Sequence, residues 1–292
     1  MSVNPTNNVY TGIRGDAFKD LIIGLLKRAK LSKKYINILT DDESMGQWNT
    51  AFTAQSANEF NNQEPYENLG DVTANKFIIW YAYRRFPQLF CPLGVKVAAR
   101  LRINYGARQS FSQIADNLGF WFYISASVEE RATKKKDLLE DSVEAMCGVV
   151  EHILDSRTRQ GVGNAIVYDI LKSIFDDIPI SLQYNDLFDP KTRLKELFDA
   201  YPDLGTWEWK DTREEKHGSG NSVIRMNVSN IFHHPKNRNG SRGPRIFLGK
   251  GEAPRKQDSQ QVAAEAALKT LNAKGWVKAI PKEYAAFCSF SK

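Results

Sequence analysis

Glu64-Pro-Tyr-Glu67-Asn-Leu-Gly-Asp71-Val-Thr-Ala-Asn-Lys-Phe-Ile-Ile-Trp-Tyr-Ala-Tyr-Arg-Arg-Phe-Pro87 is the stretch whose reading decides the fold. Pro65 falls where a first helical turn tolerates a missing N–H, and Phe77, Ile78, Tyr81 and Phe86 continue an apolar stripe, so the spacing predicts a helix. Glu67 and Asp71 stand four residues apart, on one face of it. Farther along, Asp141-Ser-Val-Glu144 lies in a second predicted helix over 137–154, with Leu138, Val143, Met146, Val149, Val150 and Ile153 as its buried stripe. Either pair alone reads as solvent-facing charge on an amphipathic helix. Brought together, the carboxylates would raise one another's pKa and cost stability unless a divalent cation neutralised them. All-oxygen ligation with no Cys or His nearby points to Mg²⁺ or Mn²⁺ rather than zinc.

The text around the pairs resembles the ribonuclease III family. The first stretch is similar to the family's signature helix, Glu-x-x-Glu-[Phe]-Leu-Gly-Asp followed by an apolar helix and Phe-Pro. Lys134-Lys-Lys-Asp-Leu-Leu-Glu-Asp141-Ser-Val-Glu144-Ala145 resembles its later motif, a basic loop followed by Ala-Asp-x-Phe-Glu-Ala, and Leu101-Arg-Ile-Asn and Phe111-Ser-Gln-Ile-Ala-Asp-Asn-Leu-Gly-Phe120 read like its intervening helices. The resemblance implies an Mg²⁺-dependent endoribonuclease that cuts double-stranded RNA to 5′-phosphate, 3′-hydroxyl ends with short 3′ overhangs. It implies that Glu67, Asp71, Asp141 and Glu144 are the catalytic metal ligands, Glu144 the most sensitive, with Glu64 in a supporting role nearer the RNA. It also implies a homodimer and no small-molecule cofactor. Asn68 departs from the pattern, since the family has there an aromatic residue that plugs the partner subunit; Phe77, Trp80 or Tyr66 would have to rebuild that anchor. The competing reading is a non-catalytic double-stranded-RNA-binding or ribosome-associated relative. Retention of all four carboxylates argues against it.

Composition agrees without deciding. The 292 residues suit two domains, and 42% hydrophobic content is enough for each to bury a core. A net charge of +6 and a pI near 9.0 favour contact with polyanions. Cys91, Cys147 and Cys288 have no ligand spacing and read as reduced thiols of an intracellular, cytoplasmic protein, with a nuclear location as the lesser alternative. The polar start Met-Ser-Val-Asn-Pro-Thr-Asn-Asn has no apolar leader, and no segment has the length of a membrane span.

The expected architecture is an all-α endonuclease domain over 1–183 followed by a small α+β domain over 189–275, in the order α-β-β-β-α, with 276–292 as a tail. Pro179 to Asp186 reads as a short linker. Asp189-Pro-Lys-Thr-Arg-Leu-Lys-Glu-Leu-Phe198 opens a helix with Asp as N-cap and Pro at its first position. Trp207-Glu-Trp-Lys, Val223 to Ser229 and Arg245-Ile-Phe-Leu alternate as strands, and Val262 to Leu271 is an Ala-rich helix. This second block resembles the double-stranded-RNA-binding domain of ribonuclease III. By that resemblance Thr192, Lys195 and Glu196 on the first helix, His217 in the loop after the first strand, and Lys250, Arg255 and Lys256 before the last helix would touch RNA. Asp258 and Pro254 depart from the basic run expected there. Lys236 to Arg245 adds four positive charges nearby, and His233-His234 reads as a surface pair.

Overall fold

The computed structural model describes residues 8–106, 108–217, 223–237 and 240–288, and the chain divides after Ile180 into two compact units. The first unit is built from helices α1 (Asp16–Arg28), α2 (Lys33–Thr40), α3 (Asp42–Ala51), α4 (Glu64–Arg85), α5 (Gly94–Tyr105), α6 (Arg108–Asn117), α7 (Val128–Thr133), α8 (Lys135–Arg157) and α9 (Val162–Phe175). It is not purely helical: β1 (Val9–Tyr10) and β2 (Ala126–Ser127) pair as a short antiparallel ribbon. No helix among the described residues is long and apolar enough to cross a membrane.

Helix α8 is the axis of this unit. Every residue from Ser142 to Val150 on it is buried, a whole circumference rather than the one-sided stripe that the spacing implied. Such a helix needs neighbours on all sides, and α3, α4, α6 and α9 supply them. The contact with α4 is the tightest. A methyl group on Gly70 would run into the Glu144 carbonyl, and one on Gly148 would run into the carbonyl of Tyr66. The two backbones therefore meet at a pair of glycines, which brings the carboxylates flanking Gly70 up against those preceding Gly148.

A half-buried arginine fixes the approach to α4. Arg14 Nη2 donates to the Phe52 carbonyl at 3.1 Å and to Ser125 Oγ at 2.9 Å. Burial pushes its guanidinium pKa down to about 10, so it is charged at every physiological pH. The Thr53 carbonyl beside it accepts the Gln63 N–H at 2.8 Å, which sets the start of α4.

The second unit contains α10 (Tyr184–Leu187), α11 (Pro190–Ala200), β3 (Thr206–His217), β4 (Val223–His234), β5 (Ile246–Ala253), α12 (Lys256–Ala273) and α13 (Lys282–Ala285). Strands β3, β4 and β5 form an antiparallel sheet in that order, with Trp209 opposite Ile231 and a register shift at Ile231/Phe232. Leu194, Leu197 and Phe198 of α11, Ile231 and Leu248 of the sheet, and Ala263, Ala267 and Leu271 of α12 form its core. A side chain at Gly249 or Gly251 would strike α12, so these positions face the helix and the alternate residues Lys250 and Glu252 face away.

Several sequence expectations change here. The presumed linker holds a helical turn whose Tyr184 and Leu187 are buried. The segment Lys256 to Gln261, expected to precede the last helix, is the opening of α12. His233 and His234 are not surface residues. They are 6% and 8% exposed, with Nδ1 atoms against the Leu204 and Gly243 carbonyls at 3.3 and 3.2 Å. The presumed tail folds back instead: Tyr284 packs on Tyr184 and Phe188, and Phe287 is buried.

Two glycine classes give opposite expectations. Gly70→Ala should lower stability by about 1–3 kcal/mol, because overpacking at a backbone contact forces the helices apart. Gly24→Ala or Gly46→Ala, at helical positions with nothing within 4 Å, should raise it by about 0.5–1 kcal/mol. Denaturant melts of the three variants check both signs.

Candidate metal centre and nucleic-acid surface

Glu67 of α4 and Asp141 and Glu144 of α8 each offer a carboxylate oxygen, and these oxygens lie within 4.8 Å of one another. The i, i+3 spacing of Asp141 and Glu144 puts both on the face of α8 that meets α4. Glu144 is 9% exposed and the other two are half-buried. Asp71 is not in this cluster. One turn beyond Glu67, it is exposed, and its Oδ1 accepts from Asn75 Nδ2 at 2.7 Å. Glu64 is exposed at the start of α4.

Two further residues belong to the neighbourhood that the sequence reading passed over. Gln63, 2% exposed, directs Nε2 at Asp141 Oδ2 at 3.2 Å and at Glu67 Oε2 at 3.4 Å. Glu140 adds another negative charge acting on all three carboxyls. The signal was spacing: Gln63 precedes Glu67 by four residues, and Glu140 precedes Glu144 by four. Beside Gln63 and Asp141 opens a polar cleft of about 650 Å³, also lined by Glu64, Glu130 and Lys134.

Burial, then the charge of neighbouring carboxylates, pushes Asp141 up to about 7 and Glu144 up to about 8. Glu67 rises for the same reasons, with Glu64 the first of the charges acting on it. No cationic side chain is among the groups that shift these three. A set of oxygen donors crowded this way, with no cationic side chain among the described residues that shift it, fits a hard divalent cation.

The residues expected to meet RNA are distributed over the second unit. Helices α11 and α12 start side by side, since the Lys191 N–H donates to Gln261 Oε1 at 3.2 Å and Gln261 Nε2 to Asp189 Oδ1 at 3.0 Å. Thr192 on α11 is tied to the Asp189 cap, donating from Oγ1 to Oδ2 at 2.6 Å. Lys195 is exposed, whereas Glu196 is engaged by Tyr184 and by Lys278 at 2.7 Å. Arg255 and Lys256 do stand together at the head of α12, paired with Asp258 at 2.7 Å and Asp211 at 2.9 Å. Lys250 does not join them. It lies on β5, on the sheet face away from α12, with Glu252 at 2.6 Å. His217 ends β3, not a loop; its side chain and residues 218–222 lie outside the described residues. In the basic segment before β5, Arg242 and Arg245 pair with Glu208 at 3.1 and 2.8 Å, and residues 238 and 239 lie outside the described set.

Asn68 is exposed on α4, and of the aromatics that might replace the missing plug, Phe77 is unavailable. It is 3% exposed and packed among Tyr81, Tyr168 and Phe175 in its own core. Trp80 and Tyr66 are accessible, but the most exposed aromatic nearby is Phe60, at 93%.

No family model matches the chain. A putative ribonuclease 3 of Invertebrate iridescent virus 6 is 39% identical over 293 residues, covering 96% of each protein. A putative ribonuclease 3 of Frog virus 3 (isolate Goorha) is 43% identical over 184 residues, 62% of this chain and 49% of that one. Among solved structures, the nuclease domain of ribonuclease III from Campylobacter jejuni is 22% identical with a TM-score of 0.40, covering 54% of this chain and 99% of that one. The carboxylate cluster and the full-length relative together define a phosphodiester-cleaving ribonuclease. The chain belongs to the ribonuclease III family and is an endoribonuclease of that type.

The raised carboxyls carry a pH signature. An acid whose folded pKa exceeds its unfolded value contributes stability that is full below the unfolded value and is lost as pH rises through the folded one. For Asp141 and Glu144 that window runs from about 4 to about 8. The metal-free chain should therefore lose thermal stability between pH 5 and pH 8.5, and a divalent cation should raise Tm more at pH 8.5 than at pH 5. Scanning calorimetry in chelator and in metal checks it; Asp141→Asn should flatten the difference.

Proposed function

We propose that the protein is an Mg²⁺-dependent, homodimeric endoribonuclease that cleaves double-stranded RNA, with Mn²⁺ as an alternative ion, leaving 5′-phosphate and 3′-hydroxyl ends with short 3′ overhangs. The observation that carries this reading is the convergence of Glu67, Asp141 and Glu144, whose oxygens from two helices lie within 4.8 Å. Bound there, a divalent cation supplies an activated water and stabilises charge on the scissile phosphate. Glu67 would hold it from α4, and Asp141 and Glu144 from α8. Asp71, whose charge acts on Glu144, is the fourth ligand in this reading and is oriented by Asn75. Glu64, exposed at the helix start, is a supporting group toward the RNA.

The second unit is taken as the double-stranded-RNA-binding domain. A-form RNA offers proteins its shape, its 2′-hydroxyls and its phosphates rather than base edges. The adjoining starts of α11 and α12 would carry Thr192 and Lys195 toward a minor groove, with Arg255 and Lys256 toward phosphates and His217 toward a second minor groove. Lys250 is left out of this surface by its strand position. Asp258 and Asp211 compete with phosphates for Arg255 and Lys256, which favours modest affinity. The free cysteines suit a reducing, intracellular setting.

For the dimer, Pro65, Leu69 and Val72 recur at helical spacing along the exposed side of α4, with Phe60 standing beside them. Thr50, Pro65, Tyr66, Leu69 and His152 line a hollow of about 250 Å³ that Phe60 borders. A knob and a socket on one face are self-complementary, as a two-fold interface requires.

Glu144→Gln should abolish cleavage of perfect duplex RNA while leaving duplex binding within about twofold, checked by a gel assay beside a binding titration. A near-normal rate would refute the catalytic assignment. Phe60→Asp should shift the chain toward monomer in mass measurements over a concentration series. The same variant should nick one strand where the parent releases staggered fragments.

A further inference from the structure

Gln63 lies outside every expected role, yet it is the side chain that joins the two halves of the carboxylate cluster. Its Nε2 reaches Glu67 on α4 at 3.4 Å and Asp141 on α8 at 3.2 Å. An amide nitrogen has two hydrogens, one for each carboxylate. The opposite amide orientation would set a carbonyl oxygen against two anions, so the charges fix which end faces them. The residue is also immobilised. It is 2% exposed, its N–H donates to the Thr53 carbonyl at 2.8 Å, and its own carbonyl accepts the N–H groups of Tyr66 and Glu67 at 2.9 Å each. Gln63 Oε1 is buried without a donor among the described residues. A buried acceptor left that way costs about 1–3 kcal/mol, so the position is not optimised for stability. An apolar side chain of the same volume would avoid that cost and lose only the bridge.

We propose that Gln63 is a positioning residue for the metal centre. By engaging one oxygen each of Glu67 and Asp141, it holds the two carboxylates across the helix crossing and leaves their other oxygens for the cation. This inference rests on the reading of the cluster as a divalent-cation site. Groups that orient ligands in this way commonly change metal affinity 10- to 100-fold when removed.

The test is Mn²⁺ binding to the full chain, followed by its electron paramagnetic resonance signal, for the parent, Gln63→Met and Gln63→Asn. Asn62→Leu serves as control, because Asn62 is also buried but its bonds run to backbone groups and not to the carboxylates: Nδ2 donates to the Asn58 and Glu59 carbonyls, and Oδ1 accepts the Glu64 N–H at 3.1 Å. Gln63→Met should bind Mn²⁺ about 10-fold or more weakly while its metal-free melt stays at or above the parent's. Gln63→Asn keeps the amide but shortens the reach; it should fold and fall between the two, so the comparison stands even if Gln63→Met does not fold. In cleavage assays the metal concentration for half-maximal rate should rise with little change in KM for duplex RNA. Parent-like Mn²⁺ binding in Gln63→Met, or in Gln63→Asn should only that variant fold, overturns the inference alone; so does an equal loss in Asn62→Leu. A parent that binds no Mn²⁺ overturns the reading of the cluster and this inference with it.

Discussion

The contact between α4 and α8 at Gly70 and Gly148 is the constraint on which the rest of the first unit depends. The axes of packed helices usually stay about 8–10 Å apart because side chains intervene. Here each glycine lies against a carbonyl of the other helix, Gly70 against Glu144 and Gly148 against Tyr66. That closeness lets short carboxylates from opposite helices share a space small enough for one ion. It also explains why α8 is buried all round: a helix clasped so tightly on one side is enclosed by α3, α6 and α9 on the others.

The crossing has an electrostatic consequence. Glu67, Asp141 and Glu144 are drawn together with Glu140 and Asp71 close by, and burial denies them water. Packing alone would not favour such an arrangement, since each charge makes the next harder to ionise. The polypeptide meets part of this cost with the amide of Gln63, which sits at the end of a chain of contacts running through Thr53 to the half-buried Arg14. The local structure thus holds the carboxyl groups in place before any cation arrives, which is preorganisation rather than stability.

Much of this was legible in the sequence, for reasons that differ by element. Glu67, Asp141 and Glu144 were readable because helical spacing fixes which residues share a face, and the family resemblance then supplied the partner helix. The same spacing placed Asp71 beside Glu67, but could not say that its side chain would turn to Asn75 outside the three-carboxylate cluster. Gln63 was missed because an amide announces no chemistry until its neighbours are known. In the second unit the order of elements was clear from alternation and the Ala-rich run. The extent of α12 was not, because Lys256-Gln-Asp-Ser-Gln-Gln has no apolar stripe to mark its first turns. The pattern likewise could not see that β5 carries Lys250 away from α12, nor that His233 and His234 turn inward to carbonyls. Periodicity reports faces; it does not report which charges find partners.

The central claim is that the α4–α8 crossing builds a single cluster able to hold a divalent cation. Isothermal titration of the metal-free chain with Mn²⁺, beside a chain carrying Glu67→Gln and Asp141→Asn together, tests this most directly. Saturable binding to the parent and its loss in the double variant are expected, with the helical circular dichroism of the two chains matching. Binding of equal strength and stoichiometry in both would contradict it, because the cation would then be held somewhere other than the crossing.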